Sequence, residues 1–349
     1  MILLTVRDLR FRIVRFVVVT LLAAVVFALL FVATGLVEQF HREPRDAVEA
    51  FGASTWVLPE GVSGPFTASA TLPAATADAV TADEAAPVVV ARSSLAVGDD
   101  DATEEVVLAG HEPGALGAPP TSAGRSVEAS GEVVIDDTVD VDLGQTVRVG
   151  GRELTVVGRS TDTTVLAGVP LVFVSLGDAQ ELVFKSTDVI SAVLADGAVS
   201  DVPPGTAAVD AEESAADTLE PLENAIASVD LLRVLLWVIA AVIIGAVVYL
   251  SALERQRDFA VLKAVGVSNR TLLASLALQA VLVALAAVAI AAVLQIGLGP
   301  AFPLKVRVPA RAFWQLPLLA VVIALLASAA GMRRVARSDP ALAFAGAGG

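Results

Sequence analysis

The sequence predicts an α-helical membrane protein with four transmembrane helices and a large mixed α+β extracytoplasmic domain between helices 1 and 2. Three observations predict it. The 349 residues are 56% hydrophobic and only 17% charged, less charge than a soluble chain of this size ordinarily carries. The apolar residues gather into four charge-free runs, 16–37, 234–253, 272–294 and 312–332, each close to the roughly 20 residues a helix needs to cross a hydrocarbon core. The acidic residues are confined: residues 38–223 hold 33 Asp and Glu against 8 Lys and Arg, and the rest of the chain holds 5 against 15. Four buried core helices of such length, each bracketed by charge, do not fit a globule.

Residues 1–15 form a basic lead-in, TVRDLRFRIVR over 5–15. It suits either a segment lying on the inner leaflet or a plain charged anchor. The first apolar run is too long for a signal peptide and lacks a small-residue cleavage site, so it reads as a retained span. Orientation follows the basic residues beside the spans. Arg7, Arg10, Arg12 and Arg15 precede span one; Arg255, Arg257, Lys263 and Arg270 lie between spans two and three; Arg333, Arg334 and Arg337 follow span four. All three groups belong on the cytoplasmic side of the membrane, with both termini cytoplasmic. The external loop 295–311 resists this reading, because Lys305, Arg307 and Arg311 then face outward. Trp237 and Trp314 near the outer ends of their spans, and Tyr249 near an inner end, suit interfacial positions.

Residues 38–233 read as the extracytoplasmic domain with helical stalks. The entry stalk, EQFHREPRDAVEAF at 38–51, continues the first span, and Pro44 is expected to kink or restart it. The exit stalk, 207–233, is rich in Ala, Glu and Leu, with Pro221 interrupting it. Between them come short β-prone pieces at 54–58, 88–91, 106–109, 133–136 and 171–174. The clearest signal is TVRVGGRELTVVG at 146–158, two alternating runs about Gly150–Gly151 that predict a hairpin. Residues 63–87 and 112–125 read as loops. The chain has no cysteine, so the domain folds without disulfides and offers no thiolate chemistry.

The segment ERQRDFAVLKAVGVSNR, 254–270, carries the functional expectation. It predicts a charged helix closed by Gly266 as a C-terminal cap. Ser268 caps the next helix, with Asn269 as a substitute. With residue 271 it forms a cytoplasmic coupling helix and turn, longer than chain reversal requires. A docking role, rather than a mere positive-inside connector, is therefore expected for this segment, which carries Glu254, Arg255, Arg257, Lys263, Gly266, Ser268 and Arg270. Span three covers 272–294, span four 312–332, and 333–349 is a cytoplasmic tail.

Several chemistries lack their residues. There is no GxxxxGK[ST] phosphate loop, so the chain lacks an ATP-binding site and is not expected to hydrolyse nucleotides itself. There is no HExxH pair, and the two histidines, His41 and His111, are far apart in sequence. No serine sits in a GxSxG context. Asp136, Asp140 and Asp142 alternate as in an exposed strand rather than a twelve-residue calcium loop. No catalytic, cofactor or metal residue is assigned. No compact basic face invites nucleic acid. The spans carry no ionised group; Gln279 and Gln295 are interhelical hydrogen-bonding groups or face a pore. Four spans are few to enclose a path, so self-association is expected.

On these residues the chain resembles the permease subunits of the FtsX-like family, the membrane half of MacB-type (type VII) ABC transporters. The resemblance rests on the order of one span, one external domain and three spans. It rests also on the 254–270 motif, on DLGQTVRVGGRELTVVG at 142–158 and on the DPALAF ending at 339–344. Heterocyst-glycolipid-exporter-type permeases are also similar, including FGASTWVLP at 51–59. The resemblance implies a separate cytosolic ABC ATPase binding ATP and Mg, docked on the inner loop. It implies a permease homodimer, room for an extracytoplasmic accessory protein, and mechanotransmission from ATPase to external domain. Export or extraction of a lipid, peptide or small molecule is the implied task; activation of a cell-wall hydrolase, or a non-transporting scaffold, is the alternative.

Overall fold

The computed structural model describes residues 13–98, 103–254, 261, 265–298 and 306–336. The lead-in at 1–12 and the DPALAF ending lie outside these residues. Helix α1 (Ile13–Glu49) leads into β1 (Thr55–Pro59), β2 (Leu72–Pro73), α2 (Thr76–Ala79), β3 (Glu84–Val97), β4 (Thr103–His111), β5 (Thr121–Gly124) and β6 (Glu132–Asp136). Then come β7 (Thr146–Val149), β8 (Arg152–Ser160), β9 (Thr164–Val165), β10 (Val169–Ser175), α3 (Leu176–Val183), β11 (Val189–Ile190), β12 (Ala192–Asp196) and β13 (Thr206–Asp210). Helices α4 (Ala211–Leu219), α5 (Glu223–Glu254), α6 (Asn269–Leu298) and α7 (Ala312–Ala336) complete the chain. Four helical stretches are long and apolar enough to cross a membrane. The large mixed α+β extracytoplasmic domain lies between the first of them and the rest. Contacts divide the chain into two units: Met1–Glu38 with Ala227–Gly349, and Gln39–Ile226.

In the membrane unit α1 is the most enclosed helix. Its most apolar window is 61% buried, against 28% for the α5 and α7 windows and 44% for α6. The reason lies in its side chains. Ala23, Ala24, Phe27, Ala28, Leu30 and Phe31 are all fully buried. They meet three narrow stripes: Leu236, Ala240, Ile244 and Val248 of α5; Ala280, Ala284, Ala287 and Ala291 of α6; Ala312, Leu316, Ala320 and Ala324 of α7. Residues four apart share a helix face, and alanine on that face lets backbones approach. The outward residues, such as Leu231, Leu235, Val242 and Leu326, are large, apolar and exposed, as a lipid solvent requires.

Gly35 and the 306–311 segment make the closest approach in this unit. A Cβ on Gly35 would lie 2.7 Å from Val306 Cγ1 and 3.2 Å from the Val308 backbone nitrogen. One turn on, Arg311 forms an ion pair with Glu38 of α1. This accounts for part of the basic loop that resisted the charge rule: Arg311 has an acidic partner on the neighbouring helix. Lys305 lies outside the described residues.

In the domain unit, the main sheet runs β13-β1-β12-β3-β4-β10-β6-β8-β5, with β7 pairing β3 and β8, and β9 pairing β10. Its middle strands are buried on both faces, so they read as apolar runs rather than alternating ones. Along β10, Leu171 and Phe173 enter one core layer, and Val172 and Val174 the other. The first layer is closed by Ala47 and Val48 at the end of α1, by Phe51 just beyond it, by Phe66 and by Ala215 of α4. The second is closed by α3 through Ala179, Leu176 and Leu182. Both helices that lead towards membrane spans thus pack on one face of the sheet. Phe51 is the hub, with ring centroids 4.9 Å from Trp56, 5.5 Å from Phe173 and 6.0 Å from Phe66. The 146–158 hairpin forms as expected, with Gly150 and Gly151 both at positive φ.

Four expectations change. Helix α1 does not restart at Pro44 but stays helical through it; the packing of Ala47 and Val48 holds the chain helical past the lost backbone bond. Residues 206–210 are not helical but form edge strand β13 on β1, and the helix begins where Asp210 accepts a bond from the Glu213 N–H. The 63–87 and 112–125 stretches contain β2, α2, the start of β3 and β5. Residues 137–142 are a turn rather than a strand. Buried Asp136 there accepts bonds from the backbone N–H and hydroxyl of both Thr138 and Thr163. Pro221 does interrupt its helix, inside the 3₁₀ turn Glu220–Leu222.

His111 and Glu132 both contribute to the acid response of the domain. His111 is fully buried, and its Nδ1 donates to the Glu112 carbonyl at 3.0 Å, which leaves Nε2 as an unpartnered acceptor. Burial pushes the imidazole below its ordinary 6.5, outweighing the opposing pull of that carbonyl. Glu132 is held down to about 2 by the Arg125 guanidinium, with added bonds from the Glu128 and Ala129 N–H groups.

Gly35→Leu should lower the thermal stability of the purified chain by about 1–3 kcal/mol, more than Gly35→Ala does, in a detergent unfolding series. For His111 the unfolded state takes up the proton first. Stability should therefore be flat above pH 6.5 and fall as the pH drops below it. His111→Gln should flatten that fall in melting curves taken between about pH 7.5 and about pH 5.5. The Glu132 contribution persists above 4.5 and is lost only as the pH falls towards about 2.

Candidate functional site

The described part of the connection between α5 and α6 comprises the end of α5, a tight turn and a capped helix start. Glu254 is the last residue of α5. Arg255, Arg257 and Lys263 lie outside the described residues. Val265 donates its N–H to the Val261 carbonyl at 3.1 Å, a helical bond. Gly266 follows at φ +95, a left-handed conformation that favours glycine and ends a helix. No atom crowds its Cβ position, so the requirement is one of backbone shape. Ser268 then caps α6. Its Oγ accepts from the Thr271 N–H at 3.3 Å, and its carbonyl accepts from the Thr271 and Leu272 N–H groups. Arg270 is exposed in the first turn of α6.

The turn is seated by Val267, which packs against Ala252, Leu272 and Leu276. Helices α5 and α6 also meet through polar atoms. Gln279 Nε2 donates to Ser251 Oγ at 3.4 Å, both side chains being buried, so Gln279 is an interhelical group. The structure thus brings Glu254, Gly266, Ser268 and Arg270 to one connection. It adds two residues that charge alone did not reveal. Val261 is 61% exposed and Val265 79% exposed, one helical turn apart. The signal was an i, i+4 apolar pair within a charged helix.

Among the described residues no group of three or more His, Asp or Glu side chains could hold a metal. Trp237 packs edge-on against Phe27, with centroids 6.0 Å apart, whereas Trp314 is 59% exposed and is not a core residue of this chain.

Two family models match, one over the first span and the domain, the other over the last three spans. Residues 17–212 match the MacB-like periplasmic core domain, and residues 231–340 match the FtsX-like permease C-terminal. The chain belongs to the FtsX/MacB-like family of ABC transporter permeases. An uncharacterized ABC transporter permease of Mycobacterium bovis is 41% identical over 346 residues, covering 97% of this chain and 98% of the relative. One of Mycobacterium tuberculosis is 39% identical over 345 residues, with the same coverage. The periplasmic region of MacB from Actinobacillus actinomycetemcomitans aligns at a TM-score of 0.33 and 12% identity, covering 49% of this chain and 94% of that one. Membership in an ABC transporter permease family implies an ATPase partner subunit for this multi-pass membrane protein.

Ser268→Ala should remove the α6 cap at a cost of about 1 kcal/mol. The expected sign is faster hydrogen exchange at the Thr271 amide, with exchange in the middle of α6 unchanged.

Proposed function

We propose that the chain is a transmembrane subunit that couples ATP hydrolysis by a separate cytosolic ATPase to conformational change of the extracytoplasmic domain, driving export or extraction of a lipid, peptide or small molecule. The observation that carries the reading is the α5–α6 connection. A capped, glycine-closed turn seated by Val267 presents Val261, Val265 and Arg270 outward. An apolar pair flanked by the cations Arg255, Arg257 and Lys263 suits a protein groove. The apolar part supplies contact area, and the charges supply steering and register. The basic residues beside the spans put this connection and both termini in the cytoplasm. The segments follow the sequence reading: spans at 16–37, 234–253, 272–294 and 312–332, with the coupling helix and turn at 254–271.

Two copies of the permease with two ATPases make the working unit, and an extracytoplasmic accessory protein completes it. ATP-driven closure of the ATPases moves the spans, and the movement reaches the domain along α1 and α5, each of which has residues in both units.

Reversing charge at Arg255 and Arg257 should weaken capture of the ATPase at least tenfold, and Val265→Asp should do the same, with the spans still folded. Pull-down of the ATPase from detergent extracts, with melting temperature as the folding control, measures both effects. Capture that is unchanged in both variants would sink the docking assignment. Capture of a cell-wall hydrolase by the domain, with no cargo flux in reconstituted vesicles, would replace transport with hydrolase control.

A further inference from the structure

Glu43 is an acidic residue that the packing of α1 does not call for. It is 2% exposed. Its carboxyl group accepts from the Gly168 N–H at 2.6 Å; burial disfavours its charged form, and the nearby Thr164 hydroxyl and Ala167 N–H pull the other way. These donors belong to the short hairpin between β9 and β10. The hairpin turn places Leu166, Ala167 and Gly168 at φ 52, 69 and 98. Three successive left-handed residues are costly for side chains other than glycine. Their effect is to aim backbone N–H groups into one concave anion site, and Glu43 fills it.

The same hairpin is gripped from the sheet. Thr163, the residue before Thr164, donates its N–H and its hydroxyl to Asp136 at 2.8 Å each. Successive threonines are therefore held by two buried carboxylates, one at the end of β6 and one on α1. The hairpin feeds β10, which pairs with β4 on one side and β6 on the other. For static attachment an apolar residue would serve as well, since replacing buried charge by well-packed hydrophobic groups is often neutral or stabilising. Directional hydrogen bonds do something apolar contact does not: they resist sliding and rotation. Their position on α1 matters too. Pro44 follows Glu43, and having no N–H it cannot bond the Phe40 carbonyl. The latch lies in the turn of α1 that lacks a bond of its own.

We propose that Glu43 is the positioning residue that ties α1 to the β9–β10 hairpin, so that movement of α1 is delivered to the central strand β10. The transmission role rests on the ATPase-coupled reading; the latch itself does not. Hydrogen exchange by mass spectrometry on the full chain in nanodiscs tests both. In the permease alone, Glu43→Gln should speed exchange at the Ala167 and Gly168 amides about 10- to 100-fold, with the β4 and β6 amides unchanged. Thr164→Val, which keeps the carboxylate and both backbone donors, should give a smaller increase and serves if Glu43→Gln does not fold. Equal exchange in wild type and variants would overturn the latch. With the ATPase, ATP and Mg, the wild-type hairpin should change its exchange on nucleotide addition. Glu43→Gln should abolish that change while ATP hydrolysis continues. A nucleotide-dependent change that survives Glu43→Gln would overturn the transmission role. Failure of the wild-type chain to capture the ATPase would remove the transport reading, and the transmission role with it, whatever the exchange in the permease alone.

Discussion

One helix has to satisfy two cores. The first part of α1 supplies Phe27, Leu30 and Phe31 to the membrane bundle, and its last turn supplies Ala47 and Val48 to the domain, with Phe51 just beyond. Every other spanning helix offers the bundle only a narrow stripe. The burial of aromatic and aliphatic side chains is worth about 1.5–3 kcal/mol apiece, so both units depend on the placement of this one segment. The same constraint explains why a proline is tolerated in it. Apolar burial on the domain side outweighs one missing backbone bond.

Charge is used differently in the two units. The domain carries a large acidic excess, yet its buried carboxylates act as hydrogen-bond acceptors that fix irregular backbone. Asp136 holds a turn and Asp178 accepts from Ser130 and the Gly131 N–H; half-buried Asp217 likewise accepts from Ser63 and Thr67. Buried polar groups must find partners, and here the partners are the N–H and hydroxyl groups of loops that no strand ladder satisfies. In the membrane unit described charges are paired side by side: Arg311 meets Glu38 of α1, and Arg233 meets Asp230 within α5. Such pairing lets a basic residue lie on the outer side without defeating the overall orientation signal.

Much of the architecture was legible because it rests on local properties. Span length is a count of apolar residues, and the Gly150–Gly151 hairpin is set by two residues that accept positive φ. The Gly266–Ser268 turn is a local device of the same kind, and its cap formed where the serine stands. The short strands β12 and β13 were not legible. The piece Thr206–Asp210 contains three small residues and one valine, and its extended form comes from pairing with β1, a partner about 150 residues earlier in the chain. Pairing across such separations leaves no local periodicity.

The candidate site divides in the same way. The charges, the glycine and the capping serine of the α5–α6 connection can be read directly, because helix ends are written in adjacent residues. Val261 and Val265 could be seen in the chain, but their exposure could not, since burial depends on what the rest of the fold covers. Glu43 is the sharper case. By sequence it is one acid among several in a stalk, with Glu38, Asp46 and Glu49 beside it. Only the fold brings residues 164–168 over it, more than a hundred positions away, and turns their N–H groups towards one carboxylate. The sequence by itself determined the spans, the acidic domain between them and the turn that closes the inner loop, because apolar length and capping are local free energies. The tertiary structure decided which helix is central, which acid is a latch and which apolar residues stay exposed, because those depend on contacts between distant segments.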